Sequence, residues 1–452
     1  MSKINLKKEK NFRFAFRKEY FGGLFLDFEN YTSEILNAKE YDFLEEIKNG
    51  KKFFLQNLQN SKLKKFITKL QQRNIIEITP SGELLINNIR RIHPPQRIPK
   101  DYLSAPLKIY DTYTRRCNLA CKHCYASANP NFIEKRRTIF QTKEIIRKFY
   151  KVGVMEWNFT GGEPTIMPDL LDAIKIAKGF KMKVSVNTNG CWEPKITKKI
   201  LISGVDEFII SLDGREKIHD KRRGPGVFKK VIKTLDQIYE YNQSNYKNKL
   251  KVTLNMAIGK DNIQDVEYIT FLGSRYKYNI KFVPLKLGGR AYENLMLSTR
   301  EYMKFAKKVQ QLRQISEIKK SKIKIILNHK DLFNPEYPDR FNLPYPFNYS
   351  QCTALTTAMD ILPDGRVVAC SFLMDRPEFI GPNIFDVSVY EAWQHPVMEH
   401  FRRAQKQNCA NCRFYMRQCR GPCRSSVLLS GGKIKGNKLI GRDPYCFKDL
   451  LS

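Results

Sequence analysis

The chemistry of this chain begins with its eleven cysteines in 452 residues. Three stand together as Cys117-Asn-Leu-Ala-Cys121-Lys-His-Cys124, a C-x3-C-x2-C run. Three thiolates on one short loop can hold three corners of a [4Fe–4S] cube and leave the fourth iron open. They could instead hold zinc, with His123 completing a tetrahedron. Seven more cysteines lie in the last hundred residues: Cys352, Cys370, Cys409, Cys412, Cys419, Cys423 and Cys446. Seven thiols are too many for one zinc and one short of two complete four-thiolate sites. Cys191 stands alone. An odd cysteine count, with an N-terminus lacking a signal-peptide core, argues for metal ligation or catalysis in a reducing cytoplasm rather than disulfides. No apolar run approaches the length of a membrane span.

Something must position the first cysteine loop. Apolar runs at 107–110, 156–159, 183–186, 207–211, 251–256 and 280–284 alternate with helical stretches over residues 105–295. This strand–helix alternation predicts parallel β-structure with right-handed crossovers. The predicted fold class is α/β, an incomplete (β/α)6 barrel, whose chemistry belongs at the strand C-termini. The cysteine loop follows the first strand. Gly161-Gly162-Glu163-Pro164 follows the second, Asn187-Thr188-Asn189-Gly190 the third and Ser211-Leu-Asp213-Gly214 the fourth, with Arg223 soon after. Glycines there let backbone approach a ligand closely. Residues 1–100 read differently: short strands at 12–16, 23–28 and 33–36, helices at 38–47 and 61–72, and a strand at 75–78. That order predicts a winged-helix-like α+β domain, joined through the proline-stiffened stretch 93–99. A bridging region spans 296–350, with a helix over 298–312, and a cysteine-rich unit spans 351–452.

The cysteine spacing and the four strand-end motifs together resemble the radical SAM (S-adenosylmethionine) enzymes over residues 105–295. The resemblance implies that Cys117, Cys121 and Cys124 hold a [4Fe–4S] cluster. S-adenosylmethionine would chelate its open iron and yield a 5′-deoxyadenosyl radical that removes a substrate hydrogen atom. Gly161, Gly162, Glu163, Pro164, Asn187, Asn189, Ser211, Asp213 and Arg223 would bind that cofactor, Arg223 through its carboxylate, and Tyr125 would lean on the adenine. The C-terminal cysteines resemble the SPASM domain, which carries two auxiliary [4Fe–4S] clusters. By that resemblance Cys352, Cys370 and Cys423 hold the cluster nearer the barrel, and Cys409, Cys412, Cys419 and Cys446 the distal one. The chain has six residues between Cys412 and Cys419 where the usual pattern has five. Cys191 is left over, read either as a hydrogen-atom donor at the barrel mouth or as a small buried hydrophobe.

The stretch Arg17-Lys-Glu-Tyr-Phe-Gly-Gly-Leu-Phe-Leu-Asp27, with Asn37 before a helix, resembles the PqqD-like precursor-peptide recognition domain. Such a domain binds a leader peptide as an added strand. The implied function is modification of a ribosomally made precursor peptide by a thioether or carbon–carbon cross-link. The alternatives are maturation of a folded protein or tetrapyrrole-like molecule, or nucleic-acid binding through the winged domain. The chain carries a formal charge of +35, and residues 1–100 carry +9. No dense basic stripe lies on one predicted helix, so nucleic acid is not the expected partner. A basic surface instead suits an acidic leader or a flavodoxin or ferredoxin electron donor.

Overall fold

The computed structural model describes residues 12–245, 249–328, 343, 352–404, 409, 411–415, 419 and 421–448. The chain opens with three antiparallel strands, β1 (Phe14–Glu19), β2 (Gly22–Asp27) and β3 (Thr32–Leu36). Helices α1 (Ala38–Lys48) and α2 (Ser61–Gln72) follow, each started by an asparagine. Asn37 accepts from the Glu40 N–H, and Asn60 from the N–H groups of Lys62 and Leu63, satisfying donors a helix start leaves orphaned. The hairpin β4 (Ile76–Ile78) and β5 (Leu84–Ile86) precedes β6 (Ile89–Ile92), which returns to pair parallel with β1. The sheet order is β3-β2-β1-β6. Phe14, Phe16 and Phe25 pack with Tyr41, Leu44, Ile67 and Leu70 into a core separate from that of the barrel.

The first strand runs three residues beyond its expected end because its tail is buried against the barrel. Arg17 and Glu19 are both fully buried and pair at 2.8 Å. Arg17 donates to the carbonyls of Val152 (2.7 Å) and Ala105 (3.0 Å), and Glu19 accepts from the Ser104 N–H (2.7 Å).

The barrel alternates as expected: β7 (Lys108–Thr114), α3 (Ile139–Lys151), β8 (Glu156–Gly161), α4 (Leu170–Gly179), β9 (Lys183–Thr188), α5 (Pro194–Leu201), β10 (Glu207–Ser211), α6 (Glu216–Arg223), α7 (Val227–Ser244), β11 (Lys251–Ile258), α8 (Val266–Tyr276) and β12 (Asn279–Pro284). These six strands are all parallel neighbours. The sheet does not stop there. After α9 (Thr299–Gln314) and α10 (Ser316–Ser321), β13 (Ile325–Leu327) adds parallel to β12. From the C-terminal unit, β14 (Ala358–Ile361) adds parallel to β7, followed by antiparallel β15 (Arg366–Val368) and β16 (Ile380–Asn383). The six-strand expectation thus understates the sheet, which runs to ten strands. Most of the bridging region, 329–342 and 344–350, lies outside the described residues.

Arg137 fastens the C-terminal unit to the barrel. It pairs with buried Asp111 at 2.5 Å and donates to the Leu362 carbonyl (3.1 Å), while the Trp157 indole donates to Asp111 (3.0 Å). Among the described residues no helix is long and apolar enough to cross a membrane.

The Arg17 contact yields a test. Arg17→Met leaves the Glu19 carboxylate buried without its cation, a loss of about 3–5 kcal/mol. Urea denaturation should show a lower midpoint, and proteolysis between residues 93 and 107 should accelerate. An unchanged midpoint would show that the pair does not hold the two units together.

Candidate active site

A cavity of about 790 Å³ opens at the C-terminal ends of the barrel strands. Cys117, Cys121 and Cys124 all line it, on a loop with little regular structure. Neighbouring backbone holds that loop in place. Gly162 donates its N–H to the Thr114 carbonyl (2.6 Å), and Glu163 donates its N–H to Arg116 (2.9 Å). A Cβ on Gly161 would collide with the Thr114 carbonyl, and one on Gly162 with that of Arg116. Both glycines line the cavity, but the backbone they approach so closely is the entry to the cysteine loop. On the opposite side Arg290 donates to the carbonyls of Cys121 (2.9 Å) and Ala128 (2.7 Å).

Glu163, expected among the cofactor-binding residues, turns inward. Its carboxylate is wholly buried and accepts from the Thr165 N–H (3.1 Å) and hydroxyl (2.6 Å), the Thr188 hydroxyl (2.8 Å) and the Asn189 N–H (2.6 Å). Burial pushes its pKa up, against those donors. Four donors around one carboxylate make the Glu163 side chain a bracket between the ends of β8 and β9. Pro164 is likewise buried and opens a short 3₁₀ turn. Asn189 carries the bracket onward: its side chain donates to Asn118 (2.7 Å) and points a second contact at the Cys117 sulfur (3.7 Å). Asn118 in turn donates to the Cys191 carbonyl (3.1 Å).

Arg223 does reach the cavity, and the structure shows what aims it. Buried Asp213 accepts from Arg223 Nε (2.7 Å), from the Ala257 N–H (3.0 Å), and lies 3.2 Å from His123 Nε2. Burial would raise the Asp213 carboxyl, but Arg223 and His123 outweigh it and hold it well below its ordinary range. Asp213 was expected to touch cofactor; it positions Arg223 and His123 instead. His123 lines the cavity with Nδ1 lacking any partner among the described residues.

Asn187, Ser211 and Tyr125 line the same cavity, Tyr125 with its ring 4.6 Å from that of Phe372. Asn187 accepts from Asn158 (3.2 Å) and donates to Thr160 (3.3 Å). Cys191 does not join them. Its thiol is buried in the barrel core, near the Val227 carbonyl (3.9 Å), and burial pushes it up to about 12. The thiol packs with the barrel core and is not among the residues that line the cavity.

Cys352, Cys370 and Cys423 line the same large cavity as the first three cysteines. Burial pushes Cys352 and Cys370 up. Burial would raise Cys423, but the Lys286 ammonium, 3.3 Å from its sulfur, and hydrogen bonds from Ser425 and Ser426 together pull it down. Cys409, Cys412, Cys419 and Cys446 gather around a second, smaller pocket with Phe414 and Phe447. Sequence reasoning passed over Lys286, Arg290 and Asn118, whose residue types carry no motif. Among the described residues no three His, Cys, Asp or Glu side chains close on a single-ion site. The donor sets are all sulfur and buried or half-buried, and Arg223, Arg290 and Lys286 stand beside Cys121 and Cys423, which suits clusters whose thiolate-bound form is anionic.

Residues 112–272 match the family model of the radical SAM superfamily, and residues 352–413 that of the SPASM iron–sulfur cluster-binding domain. The mycofactocin maturase MftC of Mycolicibacterium smegmatis is 26% identical over 368 residues, covering 78% of this chain and 87% of that protein. The AdoMet-dependent heme synthase of Methanosarcina barkeri is 24% identical over 361 residues, covering 76% and 97%. The crystal structure of Streptococcus suis SuiB bound to its precursor peptide SuiA superposes with a TM-score of 0.67 at 16% identity, covering 96% of this chain and 99% of that one.

A pH test follows from His219. Its Nδ1 accepts from the Asp213 N–H (3.1 Å), and burial, then Arg223, lower its pKa to about 4. The folded value is below the ordinary one near 6.5, so stability is full above that value and falls as pH drops toward the folded value. Moving from about pH 7 to about pH 5.5 should cost about 1 kcal/mol from this group. In urea titrations at both pH values, His219→Gln should remove about that much of the difference.

Proposed function

From a radical SAM enzyme with a barrel that binds S-adenosylmethionine and a [4Fe–4S] cluster and a domain for auxiliary iron–sulfur clusters, we propose modification of a ribosomally made precursor peptide. The bond formed is a thioether or a carbon–carbon cross-link. One observation carries this reading: Cys117, Cys121 and Cys124 of the barrel and Cys352, Cys370 and Cys423 of the C-terminal unit line a single cavity. A substrate lying between the two trios meets both a site of hydrogen removal and a second redox centre. A cross-link is a net oxidation and leaves an electron that such a centre can take.

Cys117, Cys121 and Cys124 hold the first cluster, Cys352, Cys370 and Cys423 the nearer auxiliary one, and Cys409, Cys412, Cys419 and Cys446 the distal one. When bound, the first cluster and S-adenosylmethionine supply hydrogen-atom abstraction. The chain's own residues arrange the rest. Arg223, fixed by Asp213, takes the cofactor's carboxylate, while Ser211 and Asn187 offer polar contacts on the same wall. Asn118 and Asn189 keep the Cys117 sulfur in place, and the cavity walls exclude water.

Residues 12–92 hold the leader peptide. β3 is the outer strand of its sheet, with Ile35 exposed and Glu34 tied to Lys69 and Arg73 of α2. An edge strand beside a basic helix suits an extended, acidic segment. The precursor peptide bound to SuiB and the maturase role of MftC support the substrate class. A flavodoxin or ferredoxin, drawn by the +35 charge, supplies the electron. The likeness to a heme synthase favours a tetrapyrrole as the second reading, but that substrate gives the N-terminal unit no task.

The test mixes anaerobically reconstituted enzyme with the product of any short open reading frame beside the gene. Peptide-stimulated 5′-deoxyadenosine and loss of two hydrogens from the peptide are expected. Peptide-indifferent 5′-deoxyadenosine with no mass change would overturn the reading. Cys352→Ala with Cys423→Ala should lower iron by about four per chain and abolish the mass change.

A further inference from the structure

The floor of the cavity lies below the thiols and is built from inward-facing strand residues. The charges there nearly cancel. On neighbouring strands Lys183 pairs with Glu207 (3.2 Å) and Lys108 with Glu156 (3.7 Å). Glu207 also accepts from the Thr253 hydroxyl (2.7 Å). One cation is left over. Lys281, on β12, lines the cavity with Tyr110 of β7 and Asn255 of β11. Among the described residues it has no ion-pair or hydrogen-bond partner.

The carboxylate whose charge acts on Lys281, Glu207, is already taken up by Lys183 and the Thr253 hydroxyl. Lys286 is engaged by Cys423. Asp360, which also faces the cavity, is held by Ser371, and burial raises it to about 7. Tyr110 stands between two ammonium groups, with Lys108 4.5 Å from its ring centroid. Burial alone would raise the Tyr110 phenol, but Lys108 and Lys281 outweigh that and lower it. Burial likewise pushes Lys281 down from its ordinary value. An ammonium taken out of water without a partner is costly, and an arriving anion removes that cost.

We propose that Lys281, with the Tyr110 hydroxyl, forms a subsite for a carboxylate of the substrate. An ammonium offers three donors and a phenol one, enough to engage both carboxylate oxygens. The carboxylate comes from the end of a peptide or from an aspartate or glutamate side chain within it. Its source rests on the peptide reading above; the subsite itself does not. Pinned at the floor, the substrate extends upward between the two thiol trios, so this contact sets which carbon comes within reach of hydrogen removal.

Equilibrium dialysis of the holoenzyme with three radiolabelled probes tests the subsite. N-acetylglycine presents an α-carboxylate, N-acetylglutamate α-methylamide a side-chain carboxylate, and N-acetylglycinamide neither. At least one carboxylate probe should bind wild type and Lys281→Arg. Lys281→Met should weaken it about ten-fold or more, and Tyr110→Phe should weaken it less. The amide should not bind. Reductive methylation mapped by mass spectrometry gives a second readout: the bound probe should protect Lys281 about ten-fold at ten times its dissociation constant, leaving exposed Lys175 unaffected. Failure of both carboxylates to bind, or equal binding by Lys281→Met, overturns the subsite. Probe binding alongside a precursor peptide that is never modified overturns the peptide reading and leaves the subsite standing.

Discussion

Glu163 buries a carboxylate among four donors from Thr165, Thr188 and Asn189, and the mouth of the barrel is organised around it. The cysteine loop has almost no hydrogen-bonded structure of its own. Its shape is borrowed from the ends of β8 and β9, through Gly162 and Glu163 backbone on one side and Asn189 and Asn118 on the other. A buried carboxylate accepting several hydrogen bonds is expensive to disturb, because each lost partner leaves a group unsatisfied in low dielectric. The same economy appears one strand on, where Asp213 aims both Arg223 and His123. The cavity thus receives few of the acidic groups its motifs contain. Those groups work behind the wall, and the wall itself is sulfur, amide, hydroxyl and cation.

That division explains the electrostatic character of the molecule's interior. Arg17 with Glu19, Arg137 with Asp111 and Arg223 with Asp213 are buried ion pairs, each supplemented by backbone partners. A buried pair adds little stability over an apolar replacement, yet breaking one is severe. Their service here is placement: the first seats the N-terminal unit, the second the C-terminal unit, the third the cofactor-facing guanidinium.

Much of this was legible in the residues. The six barrel strands announced themselves as apolar runs alternating with helical stretches, four of them ending in a cysteine, polar or glycine-rich motif, and the thiol groupings came from the family resemblance. Among the strands missed were β13 and β14, three and four residues long, too short to carry a period and defined only by the neighbour they pair with. Glu163, Asp213 and Cys191 stand at the strand ends expected of them, but a motif records that a residue is present and not which way its side chain faces. Lys281 was invisible, because a lysine between Ile280 and Phe282 reads as the solvated face of a strand, whereas here that face lines the cavity.

The pairing of β14 with β7 also bears on how the chain comes to be folded. Lys108 and Ala358 are some 250 residues apart, so during synthesis the first barrel strand waits, one flank open, until most of the polypeptide has left the ribosome. Parallel pairings over such separations form slowly. Arg137 remains without its Leu362 carbonyl over the same interval. The thiols of the two trios therefore come to line one cavity only at the last step of assembly. A nascent chain halted before residue 361 would present the first cysteine loop beside an unfinished sheet edge, exposed to oxidation and to pairing with other chains.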